Sequence, residues 1–221
     1  MERALDSQID EVKRLILIMG GSVELALLDA VKAISTRSVN PLKNIHQIEQ
    51  KINEDHIKID ESCLNILAKQ SPVAKDLRII LSILKINTDL ERMGDQVSNI
   101  AYTTSDYLNR NSLEQVVMII QMAEFVRKMV KESLDCFVRG DHVQARQILL
   151  MDDDVDDLKN KVFHDLCEHM KKNPQDVDAS LDLILIARNF ERLGDHATNI
   201  AEDIIFACTG EDVRHGGKGA G

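Results

Sequence analysis

Two blocks of the chain carry carboxylates at a spacing that chemistry could use. Residues 91–101 read Glu-Arg-Met-Gly-Asp-Gln-Val-Ser-Asn-Ile-Ala and residues 191–201 read Glu-Arg-Leu-Gly-Asp-His-Ala-Thr-Asn-Ile-Ala, identical at seven of eleven positions after a step of 100 residues. Glu91 and Asp95, like Glu191 and Asp195, stand four apart with a glycine between them. On a helix this spacing puts two like charges on one face, which costs a few tenths of a kcal/mol, and a mid-helix glycine costs about 1 kcal/mol relative to alanine. A pattern that breaks two local rules and is then repeated points to a site. At 100° per residue Glu91, Asp95, Ser98 and Tyr102 form one stripe, as do Glu191, Asp195, Thr198 and Glu202, with Asn99 and Asn199 at its margin. Ile86, Leu90, Met93, Val97 and Ile100 fall on other faces and supply core.

The repeat extends beyond these blocks. Met19 matches Met122, Asp29 matches Glu132, Glu49 matches Asp152, Ile52 matches Val155 and Asn53 matches Asp156, all at an offset of 103. The second helix of each half thus carries its own pair four apart, Glu49 with Asn53 and Asp152 with Asp156. Antiparallel to the Glu-Arg-x-Gly-Asp helices, these pairs could converge into clusters of oxygen ligands, with Glu91, Asp95 and Asn99 in the first half and Glu191, Asp195 and Asn199 in the second as the other candidate metal ligands. Such clusters suit hard or oxygen-tolerant cations: ferric iron, Mn, Mg, Ca, and Zn less readily. The competing reading is a solvated acidic face. For Gly94 and Gly194 the alternatives are close helix packing and room at a site, and for Arg92 and Arg192 an ordinary ion pair is the simpler reading. The run Asp152-Asp153-Asp154-Val155-Asp156-Asp157 is readable as helix-dipole chemistry, a solvated face or a metal ligand set. His196, whose counterpart is Gln96, reads as a surface residue.

The elements that must position these groups are helices. Prolines are few and fall at Asn40-Pro41, Ser71-Pro72 and Asn173-Pro174, each readable as an N-cap followed by proline at the first helical position. Ser112 and Gln115 have capping-box spacing, and Gly140-Asp141 reads as a C-terminal glycine followed by an N-cap. These marks predict helices near 6–36, 41–69, 73–108, 113–139, 142–171 and 176–208, with no strands. The expected fold is all-α, two similar three-helix bundles in tandem. Residues 1–110 form the first repeat, 111–209 the second, and 210–221, ending Gly216-Gly217-Lys218-Gly219-Ala220-Gly221, a flexible tail.

Composition narrows the function. The 221 residues carry a net charge of −10, which argues against nucleic acid as a partner. Cys63, Cys136, Cys167 and Cys208 stand singly in apolar segments and read as reduced core thiols of a cytoplasmic protein. Apolar runs are too short to span a membrane, and Met1–Asp10 is too polar for a signal peptide. There is no Glu-x-x-His of the kind that builds di-iron bundles, no HExxH, no phosphate-binding glycine loop and no recognisable nucleophile, so catalysis is not expected.

With these features assembled, the chain resembles the PhoU family of phosphate-transport regulators over nearly its whole length. The resemblance rests on Met19-Gly20-Gly21-x-Val23-Glu24, on Ala68-Lys69-Gln70-x-Pro72-x-x-x-Asp76-Leu77-Arg78, on both Glu-Arg-x-Gly-Asp blocks and on Val213-Arg214-His215. It implies two three-helix bundles with multinuclear metal clusters, iron or zinc foremost, held on the surface by paired E(D)xxxD motifs. Glu91/Asp95, Glu191/Asp195 and Asp152/Asp156 match that motif, whereas Glu49/Asn53 departs from it by an amide, a weaker ligand. It also implies a cytoplasmic negative regulator, a homodimer, that docks on a sensor histidine kinase and on the nucleotide-binding subunit of a phosphate ABC transporter. On that view it meets the membrane only through its partners. A metal-storage protein or metal-dependent hydrolase, and a metal-free helical scaffold, are the alternative readings.

Overall fold

The computed structural model describes residues 4–214, in six long helices. They are α1 (Ala4–Thr36), α2 (Ile45–Gln70), α3 (Lys75–Tyr107), α4 (Val116–Arg139), α5 (His142–Lys172) and α6 (Val177–Thr209). No strand occurs among the described residues, as expected. The driving pattern is the 3–4 spacing of apolar residues. In α3 Ile83, Ile86, Leu90, Met93, Val97 and Ile100 are buried, and in α6 so are Leu183, Ile186, Phe190, Leu193, Ala197 and Ile200, the same positions displaced by 100. Each fully buried aliphatic side chain of this size contributes about 1.5–3 kcal/mol, so the core itself repeats.

Within each half the three helices pack on one another, yet the most extensive helix pairing joins the halves, α3 on α6, and α1 also meets α4. The buried side chains form one contiguous core across both halves. Polar contacts lie along the α3–α6 junction: Lys85 Nζ donates to Asp203 Oδ1 at 3.2 Å, and His196 Nδ1 lies 2.8 Å from Asp89 Oδ1.

The helix ends correct several sequence expectations. Asn40-Pro41 and Asn173-Pro174 open short 3₁₀ turns, Asn40–Asn44 and Pro174–Asp176, and the α-helices begin only at Ile45 and Val177. Ser71 does not cap α3: with φ 45° it is the left-handed residue that ends α2, and α3 starts at Lys75. A residue before proline is pushed out of the α region, so Ser71-Pro72 breaks a helix more readily than it begins one. The Ser112/Gln115 box does not form, since α4 starts at Val116, after a turn pinned by the Leu113 N–H donating to Tyr107 Oη at 3.1 Å. Gly140-Asp141 behaves as expected. Gly140 closes α4 at φ 61° and Asp141 Oδ1 accepts from the Gln144 N–H at 2.9 Å. All four cysteines are free, but only Cys63 and Cys136 are buried; Cys167 and Cys208 are partly exposed. Of the expected tail 210–221, residues 210–214 lie against the body, with Arg146 Nη2 2.5 Å from Glu211 Oε2 and Val213 packed on the core. The remaining residues, 215–221, lie outside those described.

Gly20 and Gly21 separate packing from propensity. A Cβ on Gly20 would lie 2.7 Å from both Leu134 methyl carbons across the α1–α4 contact, whereas one on Gly21 would meet nothing within 4 Å. Gly20→Ala is therefore expected to destabilise by about 1–3 kcal/mol through overpacking, and Gly21→Ala to stabilise by up to about 1 kcal/mol. Urea unfolding of the two variants checks this, and equal effects would contradict it.

Candidate functional site

In the second half, α5 carries Asp152 and Asp156 and packs against α6, which carries Glu191 and Asp195. Gly194 lies at this contact: a Cβ there would sit 3.5 Å from Val155 Cγ1 and 3.8 Å from Asp152 Oδ1, both ordinary van der Waals distances, so Asp152 reaches α6 beside a position that would also accept alanine. Crowding of the acids is visible in their titration. The Asp152 carboxyl is pushed up from 3.8 to about 6, first by burial and then by Asp195, Asp156, Asp153 and Glu191. Asp195 is also raised, by loss of hydration and then by Glu191 and Asp156, against the opposing pull of His196 and Lys159. Asp152 and Asp195 are thus both raised in part by acids on the facing helix or their own.

Sequence reasoning missed the cation among them. Lys159 Nζ lies 2.8 Å from Asp156 Oδ1 and 3.0 Å from Glu191 Oε1, bridging α5 to α6. Its own pKa is raised, chiefly by the hydrogen bond to Asp156. The signal was present: Lys159 follows Asp152 by seven residues and Asp156 by three, one face of one helix. With the side chains so arranged, no three His, Cys, Asp or Glu among the described residues stand together in a metal-holding group. The donor chemistry nonetheless suits a hard cation. Of the four carboxylates Lys159 pairs with two, Asp156 and Glu191, and Asp152, with no such partner and a raised pKa, is the acid left most in need of compensation.

The first half is arranged differently. Arg92 pairs along its own helix, Nε 3.4 Å from Glu91 Oε2 and Nη1 3.7 Å from Asp95 Oδ2. Glu49 on α2 faces His46, Oε2 to Nδ1 3.4 Å. At Gly94 a Cβ would lie 3.1 and 3.2 Å from Ile52 carbons, so this glycine serves helix packing. Asn53 is partly exposed and Asn99 exposed. The hydroxyl of Ser98, one turn beyond Asp95, is buried with no protein partner.

Asn199 turns away from the second-half acids. Its Nδ2 donates to Asp89 Oδ1 at 3.1 Å, the same oxygen that His196 Nδ1 approaches, so His196 is a junction residue and not the surface residue the sequence suggested. No repeat signal could have found Asp89, because its counterpart is Asn189, which donates to its own helix at Leu185 O.

Raising a carboxylate pKa means that folding disfavours its charged form. That cost is present above the folded value of about 6 and is relieved as pH falls toward the ordinary value of 3.8. In chelator-treated protein, Asp152→Asn is expected to raise stability at neutral pH by on the order of 1–3 kcal/mol, the gain fading toward about pH 4. Denaturant titrations across that range check it; a pH-independent effect, or a loss at neutral pH, would contradict it.

Comparison with known proteins places the chain and its fold. A family model described as the PhoU domain matches twice, over residues 16–104 and 119–204, one match in each half. A phosphate-specific transport system accessory protein PhoU homolog of Pseudomonas aeruginosa is 35% identical over 216 residues, covering 97% of this chain and 89% of that protein. The phosphate-specific transport system accessory protein PhoU of Escherichia coli K12 is 29% identical over 212 residues, covering 96% and 88%. Among solved structures, PhoU from Pseudomonas aeruginosa superimposes with a TM-score of 0.90 at 35% identity over 93% of this chain and 99% of that one. The phosphate transport system regulatory protein PhoU from Streptococcus pneumoniae gives 0.86 at 26% identity over 95% and 99%. With both halves matched separately and relatives aligned almost end to end, the chain belongs to the PhoU family.

Proposed function

We propose that this chain is an accessory regulator of phosphate transport that works by docking and not by catalysis. The observation that carries the reading is its near end-to-end similarity to phosphate-specific transport accessory proteins, in sequence and in fold. The chemistry of its thiols agrees: burial pushes Cys63 up to about 12 and also raises Cys136 and Cys208, so these sulfurs stay protonated and unreactive at neutral pH. No helix among the described residues is long and apolar enough to cross a membrane. We place the protein in the cytoplasm, as a homodimer, meeting the membrane through a sensor histidine kinase and the nucleotide-binding subunit of a phosphate ABC transporter, and lowering phosphate uptake and the starvation response when phosphate is plentiful.

The acidic face is the part of this reading that involves metal. Asp152, Asp156, Glu191 and Asp195 are the carboxylates that would hold iron or zinc in the second half, with Lys159 giving way. Glu49, Glu91 and Asp95, with the Asn53 amide, are their first-half counterparts. A bound cation would neutralise the carboxylate crowding and fix the face that α5 and α6 present to a partner.

Alkaline phosphatase output in phosphate-replete cells of the source organism tests the proposal. Deleting the gene is expected to raise activity and restoring it to lower activity again. Restoration with Glu191→Ala and Asp195→Ala together, in protein whose circular dichroism is unchanged, is expected to fall short. Unchanged activity on deletion would overturn the regulatory reading, and full restoration by the double variant would overturn the role of the acidic face.

A further inference from the structure

The repeat brings two equivalent corners of the molecule into comparison, and they are finished in opposite ways. At the first, Tyr107 at the end of α3 is fully buried. Arg37, just past α1 at φ 48°, lies over its ring at 5.2 Å and donates to the Leu108 and Arg110 carbonyls at 3.2 and 2.7 Å. Arg110 in turn lies 2.5 Å from Asp182 and 3.2 Å from Asp178. Three large side chains thus fill this corner, and carboxylates compensate the arginine.

At the second corner the offsets of 103 and 100 put Gly140 at the place of Arg37, Ala207 at the place of Tyr107 and Gly210 at the place of Arg110. The correspondence is structural too, since Gly140 also has positive φ, 61°. With Gly140 and Ala207 standing where the first corner has Arg37 and Tyr107, a cavity of about 310 Å³ lined by both lies where α1, α3, α4 and α6 meet, and Gly210 is outside its lining. Ile79, Phe137 and Ile204 line it with apolar surface, Lys13, Lys75 and Arg139 line it with charge, and no acidic side chain is among its lining residues. Asp10 pairs with Lys13 from outside the lining, at 3.6 Å. The two aspartates of the first corner are exchanged as well, Asp178 for Arg78 and Asp182 for Ser82. The Arg78 guanidinium carbon lies 3.6 Å from where a Gly210 Cβ would be, and its Nε is buried without a partner. Arg78 is outside the cavity's lining, but in a chain of net charge −10 Lys13, Lys75 and Arg139 are gathered at one partly apolar hole where the first corner has Arg37 and Tyr107.

We infer that this cavity binds an organic anion, a phosphate or carboxylate head on a small apolar body. The head is held by Lys75, Arg139 and Lys13, and the body takes the space that Tyr107 fills in the other half. The volume is at the low end for small-molecule sites, and apolar walls with a few convergent charges are the usual makeup of such sites. The Cys208 thiol at its edge donates to Gly140 O at 3.4 Å and is kept protonated by burial, so it contributes contact and not chemistry.

Isothermal titration of the full chain with hexyl phosphate, hexanoate, inorganic phosphate and hexylammonium tests the assignment. Saturable one-to-one binding of hexyl phosphate or hexanoate is expected, with inorganic phosphate weaker and hexylammonium inert. Lys75→Gln with Arg139→Gln is expected to weaken binding about tenfold or more. Ala207→Tyr, which restores the first corner's filling, is expected to abolish binding while leaving thermal stability equal or higher. If that variant misfolds, the double glutamine variant decides. Vesicles containing phosphatidic acid distinguish the source: co-sedimentation lost in the double variant identifies a lipid headgroup, and hexyl phosphate binding without it identifies a soluble metabolite. Failure of both amphiphilic anions to bind, equal binding of hexylammonium, or undiminished binding by the variants would overturn the proposal.

Discussion

The pairing of α3 with α6 is the constraint on which the rest of this molecule depends. Each half has three helices of its own, but the third helix of each buries its repeated apolar face partly against its counterpart, so one core runs through both halves. Because that face is committed, the Glu-Arg-x-Gly-Asp stripe must fall elsewhere on the same helices, toward α2 in one half and α5 in the other. The carboxylates are therefore held on rigid helices at helix–helix contacts and not on loops. Lys85 with Asp203, and Asp89 with His196 and Asn199, add polar contacts across the same pairing.

The repeat sets two similar groups of residues in equivalent places, and small substitutions have made them unlike. In the second half Asp152 lies beside Gly194 on α6 with its pKa raised by burial and neighbouring acids, and Lys159 bridges Asp156 to Glu191. In the first half Ile52 lies against Gly94, Asn53 replaces an acid, and Arg92 pairs with Glu91 and Asp95. The corners diverge in the same manner, one filled by Tyr107 and Arg37 and the other left open by Ala207 and Gly140. A duplicated scaffold keeps its core residues in register because packing is unforgiving, while positions at its edges are free to change chemistry.

Much of this was legible in the sequence because it rests on periodicity. The helices, the repeat, the offsets of 103 and 100 and the nearness of the second-half acids across α5 and α6 all follow from residue spacing. Helix starts were misread at Ser71, Ser112 and the asparagine-proline pairs because each local pattern fits a turn as well as a cap, and tertiary packing chooses. Lys159 was missed although its spacing pointed to the acid face. Asp89 was not legible at all, because its partners come from more than 100 residues away and its repeat counterpart is an asparagine. The difference between Gly94 and Gly194, one packed tightly against Ile52 and the other in ordinary contact with Val155 and Asp152, appears only when the facing side chains are in place.

The central claim is that the second-half acids form a surface in need of a cation beyond Lys159. It is tested most directly by following the Asp152 carboxyl carbon by NMR in metal-stripped protein as pH is lowered, and again after adding ferric iron or zinc. The account predicts a midpoint near the raised value of about 6 without metal, and ionisation displaced to markedly lower pH when metal is present. An ordinary midpoint near 3.8 that metal does not move would contradict it, and would leave the repeated carboxylates as a solvated face.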